Sequence, residues 1–293
     1  ALTNVDGLAN ISYVGGHLHI ALNDALTNLD GLSAMYEIRN YLHIGGNESL
    51  ISVDGLSNVT SVQGAVGVEE NDALTQIDGF SGITAIAGDL YVQSNGALAN
   101  LDGLASLKTL GGSAYIAENP ALTGISGLAN VDLLAGDMEI YSNPALTGMD
   151  GFSALTEAGG GIMISSNATM EHMSGLTNLE KISGFLWLDD NPLLPQVNDL
   201  GRLTSVGSYL QMEYNTALEN LDGFSKLATV DGDLTVRFNT ALTHIDGLST
   251  LESVTGAVVI QENPALCQGH AETVAGGIPS AGSLDVTGNK TCK

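Results

Sequence analysis

A net charge of -25, from 33 acidic against 8 basic residues in 293, makes a nucleic-acid backbone or an anionic membrane an unfavourable partner. Apolar residues make up 44% of the chain, so there is a core to bury, yet no apolar run approaches the ~20 residues that a membrane span needs. The charges are dispersed, which excludes an acidic disordered tail and suits keeping a long array soluble.

The chain opens directly on a repeat, Ala1-Leu2-Thr3, as a mature N-terminus with its targeting segment removed would. From there eleven asparagines fall on one 24-residue beat: Asn23, Asn47, Asn71, Asn95, Asn119, Asn143, Asn167, Asn191, Asn215, Asn239 and Asn263. A period of that length signifies stacked units, so one elongated domain is expected rather than two globular ones. The first unit carries apolar residues at Leu2, Val5, Leu8, Ile11, Val14, Leu18 and Ile20. The last full unit repeats them as Leu242, Ile245, Leu248, Leu251, Val254, Val258 and Ile260.

Within a unit, the first feature is a bend. Its column holds Asp6, Asp30, Asp54, Asp78, Asp102, Ser126, Asp150, Ser174, Asn198, Asp222 and Asp246, all from the set favoured at helix N-caps. The expectation is one capped helical or 3₁₀ turn, with the side-chain oxygen accepting a free backbone N–H. Next comes G-x-L-x-I, alternating with period two and rich in β-branched residues, which reads as a short strand; residues 90–92 and 234–236 are examples. The asparagine follows. Stacked about 4.8 Å apart, its amides are expected to bond along a ladder and to turn backbone, without charge at the corner. Together these elements predict an all-β chain: a single right-handed parallel β-solenoid of about twelve 24-residue coils, roughly 55–60 Å long at strand spacing, with backbone hydrogen bonds between coils.

At the C-terminal end the pattern stops. Residues 1–266 are assigned to the repeat solenoid and 267–293 to a C-terminal cap, with Val274 and Ile278 available to fold over the last coil. Cys267 and Cys292 lie outside the consensus. A disulfide between them closes a 25-residue step, pins that end and implies an oxidising compartment; two free thiols are the alternative.

The pattern L-x-I-x-x-N-x-x-L, as in Leu18-His19-Ile20-Ala21-Leu22-Asn23-Asp24-Ala25-Leu26, resembles the strand-and-asparagine part of the leucine-rich-repeat superfamily, with one extra residue before the final leucine. The block NPALTGMDGFSAL at 143–155 is similar to receptor L-domain-like repeats of bacterial secreted and surface proteins. This resemblance covers essentially residues 1–266. It implies a right-handed solenoid that presents its regular sheet as a binding face, toward protein or glycan at a cell surface.

Chemistry is scarce. There is no G-x-S-x-G, H-E-x-x-H or G-x-x-x-x-G-K-[ST], and no enzyme is expected. The acidic pairs Glu69/Glu70 and Asp189/Asp190 point to opposite faces of a strand and are unsuited to flanking one bond. No cofactor is expected. A calcium ladder along the Asp6 column is the one cofactor alternative, and Ser126, Ser174 and Asn198 suit capping better than ligation. His17, His19 and His43 share one face on adjacent coils, a grouping able to hold a transition metal, with plain surface histidines as the alternative.

The outward strand columns offer more. Phe185, Trp187 and Tyr209 are expected to form one exposed patch, with Asp189, Gln211, Glu213 and Arg237 beside it. Flat aromatic surface with hydrogen-bonding groups suits a sugar ring or a protein hot spot. Residues 167–200 depart most from the consensus, and Asp199 replaces an otherwise constant glycine, as happens at functional or strained places. The expected function is therefore an extracellular or cell-surface binding and adhesion module that recognises glycan or protein. One alternative is a structural surface protein that self-associates head to tail through the solenoid ends. A lesser one is ice binding through the threonines Thr3, Thr27, Thr75, Thr123, Thr147 and Thr243, a ladder interrupted at Ile51, Ala99, Glu171, Pro195 and Glu219.

Overall fold

The computed structural model describes residues 2–279 and 282–292; Ala1 and Lys293, the outer limits of the two expected segments, lie outside them. The chain divides into two compact units, Ala1–Leu146 with Asp150–Leu155, and Thr147–Met149 with Thr156–Lys293.

The first unit repeats one coil. A 3₁₀ turn such as Asp78–Phe80 leads to a two-residue strand, Ala85–Ile86, and then to a four-residue strand, Leu90–Gln93. Each strand pairs in parallel with its equivalents 24 residues away, as Leu90 with Ala114 and Val92 with Ile116. The two-residue strands run from Tyr13–Val14 to Leu133–Leu134 and the four-residue strands from Leu18–Ala21 to Met138–Tyr141. The second unit continues the pattern in its own ladders, from Glu157–Ala158 to Ser253–Val254 and from Ile162–Ser165 to Leu284–Thr287. Over the described residues this makes eleven strands of the short kind and twelve of the long kind, all parallel, as in a β-solenoid. Alternation sends Leu90 and Val92 inward, where they are fully buried, while Tyr91 and Gln93 face outward. The three-residue steps of the turn keep the remaining apolar columns pointing into the core of each unit, with Phe80 and Phe152 among the bulkiest buried side chains of the first and Phe224 of the second.

The asparagines form the expected ladder. Asn47 Nδ2 donates to Ile20 O at 3.0 Å, Gly45 O at 3.2 Å and Asn71 Oδ1 at 3.2 Å, and Asn47 N–H also donates to Asn71 Oδ1 at 3.2 Å. Asn47 thus satisfies buried backbone carbonyls and itself accepts twice from Asn23. The residue preceding each asparagine sits at positive φ, and it is seldom glycine: Glu70 (55°), Ser94 (54°), Tyr214 (55°) and Phe238 (58°) are examples. Left-handed backbone costs a side-chain-bearing residue about 1–2 kcal/mol, and the asparagine bonds on either side hold it in place.

The acidic column departs from its expected role. Asp6, Asp30, Asp54 and Asp102 are the first residues of their 3₁₀ turns, and none caps the turn with its side chain. The oxygen comes from two residues upstream. The N–H groups of Asp6, Asp30, Asp54, Asp102 and Asp222 donate to Asn4 Oδ1, Asn28 Oδ1, Ser52 Oγ, Asn100 Oδ1 and Asn220 Oδ1 at 3.0–3.2 Å. That is the Asx- or Ser-turn geometry, which leaves the aspartate carboxylate in solvent. Asp150 heads no 3₁₀ turn; Phe152 takes φ 61° there, and Asp150 Oδ1 accepts the Ile125 N–H at 3.0 Å. Asp199 is also used structurally, with Oδ2 accepting the Met173 N–H at 2.9 Å.

Beyond residue 266 the coil geometry continues inside the expected cap. The helix Gln268–Gly276 packs on the turn Asp246–Thr250 and on the strands Val258–Gln261 and Leu284–Thr287, burying Ala271, Val274, Ala275 and, just after it, Ile278. Strand Leu284–Thr287 pairs with Val258–Gln261. Asn289 then accepts from Asn263 N–H at 3.1 Å and donates to Ile260 O at 2.9 Å, a twelfth rung that the inserted helix shifts to a 26-residue spacing. Cys267 and Cys292 form a disulfide. On chain entropy, closing a 25-residue step restrains the unfolded chain by roughly 3.5 kcal/mol. The double variant C267S/C292S is therefore expected to melt well below the parent. Equal melting temperatures would show that this end is held by the helix alone.

Candidate ligand-binding face

In the second unit the outward strand positions stack into registered columns: Met163, Trp187, Gln211 and Thr235 in one, Ser165, Asp189, Glu213 and Arg237 in the next. One residue before each strand stand Phe185 and Tyr209. Their rings stack with centroids 5.1 Å apart and planes 5° apart. Touching planes lie only about 3.5–4 Å apart, so the rings are offset like shingles. The Phe185 ring leans over Gly161, where a Cβ would collide with it. Phe185, Trp187, Tyr209 and Gln211 are all half-buried.

The charged members of the face divide into two kinds. Glu213, only 7% exposed, receives Arg237 Nε on its Oε1 at 2.6 Å, so that pair is spent on itself. The Arg237 guanidinium carbon also lies 5.8 Å from the Phe238 ring centroid. Asp189 differs. Its Oδ1 is closed to solvent and meets no partner, as is true of the Trp187 indole N–H. Burial pushes the Asp189 carboxyl above the ordinary aspartate range, Glu213 and Asp190 push it further, and a Ser165 hydrogen bond partly opposes them.

A second aromatic pair was not legible in the strand columns. Tyr214 and Phe238 stack at 4.8 Å with planes 13° apart, and Tyr214 is 47% exposed. Both occupy the left-handed corner, outside the period-two alternation; the available signal was two aromatics on consecutive beats just before Asn215 and Asn239.

In the first unit the three histidines join one aromatic cluster, in which His19 meets the Tyr41 ring edge-on at 6.4 Å. His17 lies 4.1 Å from Tyr41, and His19 lies 4.6 Å from His43, ring face to ring face. His43 Nε2 faces Glu69 Oε2 at 3.5 Å beside an open hollow of about 280 Å³ at Gly45 and Gly46. Among the described residues no group of three or more His, Cys, Asp or Glu side chains is arranged to hold a metal ion. Farther along, Tyr91 stacks on Tyr115 at 4.9 Å and donates to Asp89 at 3.0 Å; burial first, then that bond, push its hydroxyl up to about 12. In the threonine column, the Thr123 and Thr243 hydroxyls donate to Ala99 O and Glu219 O at 3.1 and 3.0 Å.

The 24-residue coil, its parallel strands and its buried asparagine ladder define a parallel β-solenoid. No family model and no curated protein matches the sequence. Among solved structures, a Leptospira interrogans leucine-rich-repeat protein is similar at 14% identity and TM-score 0.33, over 97% of this chain and 86% of that one. A TLR13–ssRNA13 complex is similar at 15% identity and TM-score 0.26, over 91% of this chain and 53% of that one. Among the described residues no helix is long and apolar enough to cross a membrane.

Proposed function

We propose that this chain is a non-enzymatic binding module that works outside the cytoplasm and takes a glycan or protein on the outward strand face of its second unit. One observation carries the reading: the half-exposed Phe185–Tyr209 stack shares its face with Trp187 and Asp189, whose Nε1 and Oδ1 the fold leaves without a partner. Aromatic surface next to unpaired hydrogen-bonding groups is the make-up of a binding hot spot. The Cys267–Cys292 disulfide favours an oxidising compartment, and the charge of -25 disfavours nucleic acid. The test uses a ligand found on glycan and purified-protein arrays. Trp187→Ala is expected to weaken it at least tenfold, about 1.4 kcal/mol, with the far-ultraviolet circular dichroism unchanged. Binding at parental strength would move the site off this face.

A second reading, self-association, draws on the exposed Leu2, Leu8, Ile11 and Tyr13 of the first coil, 41–52% accessible. Mass photometry showing monomers alone across the accessible concentrations would remove it.

A further inference from the structure

Three side-chain atoms among the described residues are both closed to solvent and without a hydrogen-bond partner. One, Nδ1 of His43, belongs to an imidazole of the first unit whose other nitrogen faces Glu69. The other two, the indole N–H of Trp187 and Oδ1 of Asp189, lie two residues apart on one strand, Leu186–Asp189. Groups of this kind are rare in folded chains, because the hydrogen bond lost to water is not replaced. Residues i and i+2 of a strand project from the same side, about 6.5–7 Å apart. The residues that carry this donor and this acceptor thus share the face that also carries the Phe185–Tyr209 stack.

The pair has a chemical preference. A hydroxyl accepts from the indole N–H and donates to the carboxylate, so it satisfies both; a carbonyl satisfies only the first and an ammonium only the second. Rings bearing several hydroxyls also carry apolar C–H faces, which suit the half-exposed Phe185 and Tyr209 rings. Anionic sugars are disfavoured by Asp189 and the adjacent Asp190, and the Arg237 across the column is already held by Glu213. We infer that Trp187 and Asp189 together bind a hydroxyl of a neutral saccharide, with the Phe185–Tyr209 stack holding the sugar's apolar face. This rests on the binding-face reading above and narrows it to one ligand class. Because both atoms are closed off in the free protein, binding turns the half-exposed indole outward to reach the ligand.

Trp187 is the sole tryptophan of the chain, so its emission reports the event directly. The parent protein is titrated with cellohexaose, chitohexaose, mannohexaose and, as an anionic control, hexagalacturonate. At least one neutral hexaose is expected to shift the emission saturably, and hexagalacturonate is not. By calorimetry, Trp187→Phe, which keeps a ring and removes the N–H, and Asp189→Asn each weaken that hexaose at least tenfold, with melting temperatures near the parent's. Equal affinity in both variants, or no neutral hexaose bound at millimolar concentration, overturns the inference. If an array-identified protein ligand is then lost in Trp187→Ala, the binding face stands and only the saccharide assignment falls. If Trp187→Ala changes nothing, both fall.

Discussion

Replacing Asn95 by aspartate is expected to destabilise the first unit strongly, and to do so in a pH-dependent way. Asn95 is fully buried. Its Nδ2 donates to Val68 O at 2.8 Å, Gln93 O at 3.0 Å and Asn119 Oδ1 at 3.2 Å, while its Oδ1 accepts from Asn71 N at 3.2 Å and Asn71 Nδ2 at 3.3 Å. Asn95→Leu removes both functions and strands a buried N–H and several carbonyls. At about 1–3 kcal/mol for each unsatisfied buried group, the loss is about 3–5 kcal/mol. Asn95→Asp keeps the acceptor but turns the donor into a second oxygen facing three others. Burial and those oxygens disfavour the charged form, so the folded-state pKa rises above the unfolded value of about 3.9. With a raised folded pKa, the native state holds the proton that the unfolded state releases. The stability of this variant is therefore highest below about pH 4 and is lost as pH rises toward the folded pKa. Measured relative to the parent at each pH, the urea midpoint of Asn95→Asp should fall well below that of Asn95→Leu at pH 7 and recover at pH 4. A deficit independent of pH would mean that water or a cation reaches this corner.

The asparagine beat made that column legible because identical side chains at a fixed step demand identical surroundings. What escaped were features carried by relationships between unlike residues. The left-handed corner bears no glycine signature, because residues as different as Leu22, Glu70 and Phe238 accept it under the restraint of neighbouring asparagines. The sequence points to Asp30 as the turn acceptor, whereas Asn28 supplies it, since both belong to the residue types that bond locally and only geometry separates them. Asn289 fell off the beat because the helix Gln268–Gly276 adds length between it and Asn263. On the candidate face, alternation and register were enough to group Phe185, Trp187 and Tyr209 on neighbouring coils. They did not reveal that Glu213 and Arg237 neutralise one another, or that Trp187 and Asp189 keep unused polar atoms. Charge pairing and desolvation depend on rotamers, which periodicity does not encode.

The glycine after each acidic position offers an internal control for coil-to-coil approach. Gly103→Ala is expected to cost about 3 kcal/mol, while Gly7→Ala, in the same column, stays within about 0.5 kcal/mol of the parent. Neither glycine has the positive φ that would require it for conformational reasons. The difference is space. A Cβ on Gly103 would overlap the carbonyl of Ile77 in the preceding coil and lie 2.8 Å from Asp78 N, all rigid backbone, whereas a Cβ on Gly7 meets nothing within 4 Å. Gly55, Gly79 and Gly127 meet the equivalent carbonyls of Leu29, Val53 and Leu101, so the constraint belongs to every interior coil of this unit. Asp199 occupies the same column in the second unit, where its own carboxylate accepts the Met173 N–H; alanine brings no such acceptor to Gly103. Thermal melts of the two alanine variants decide the matter. Equal midpoints would mean that the coils separate readily at this turn, and the glycine column would then need a reason other than packing.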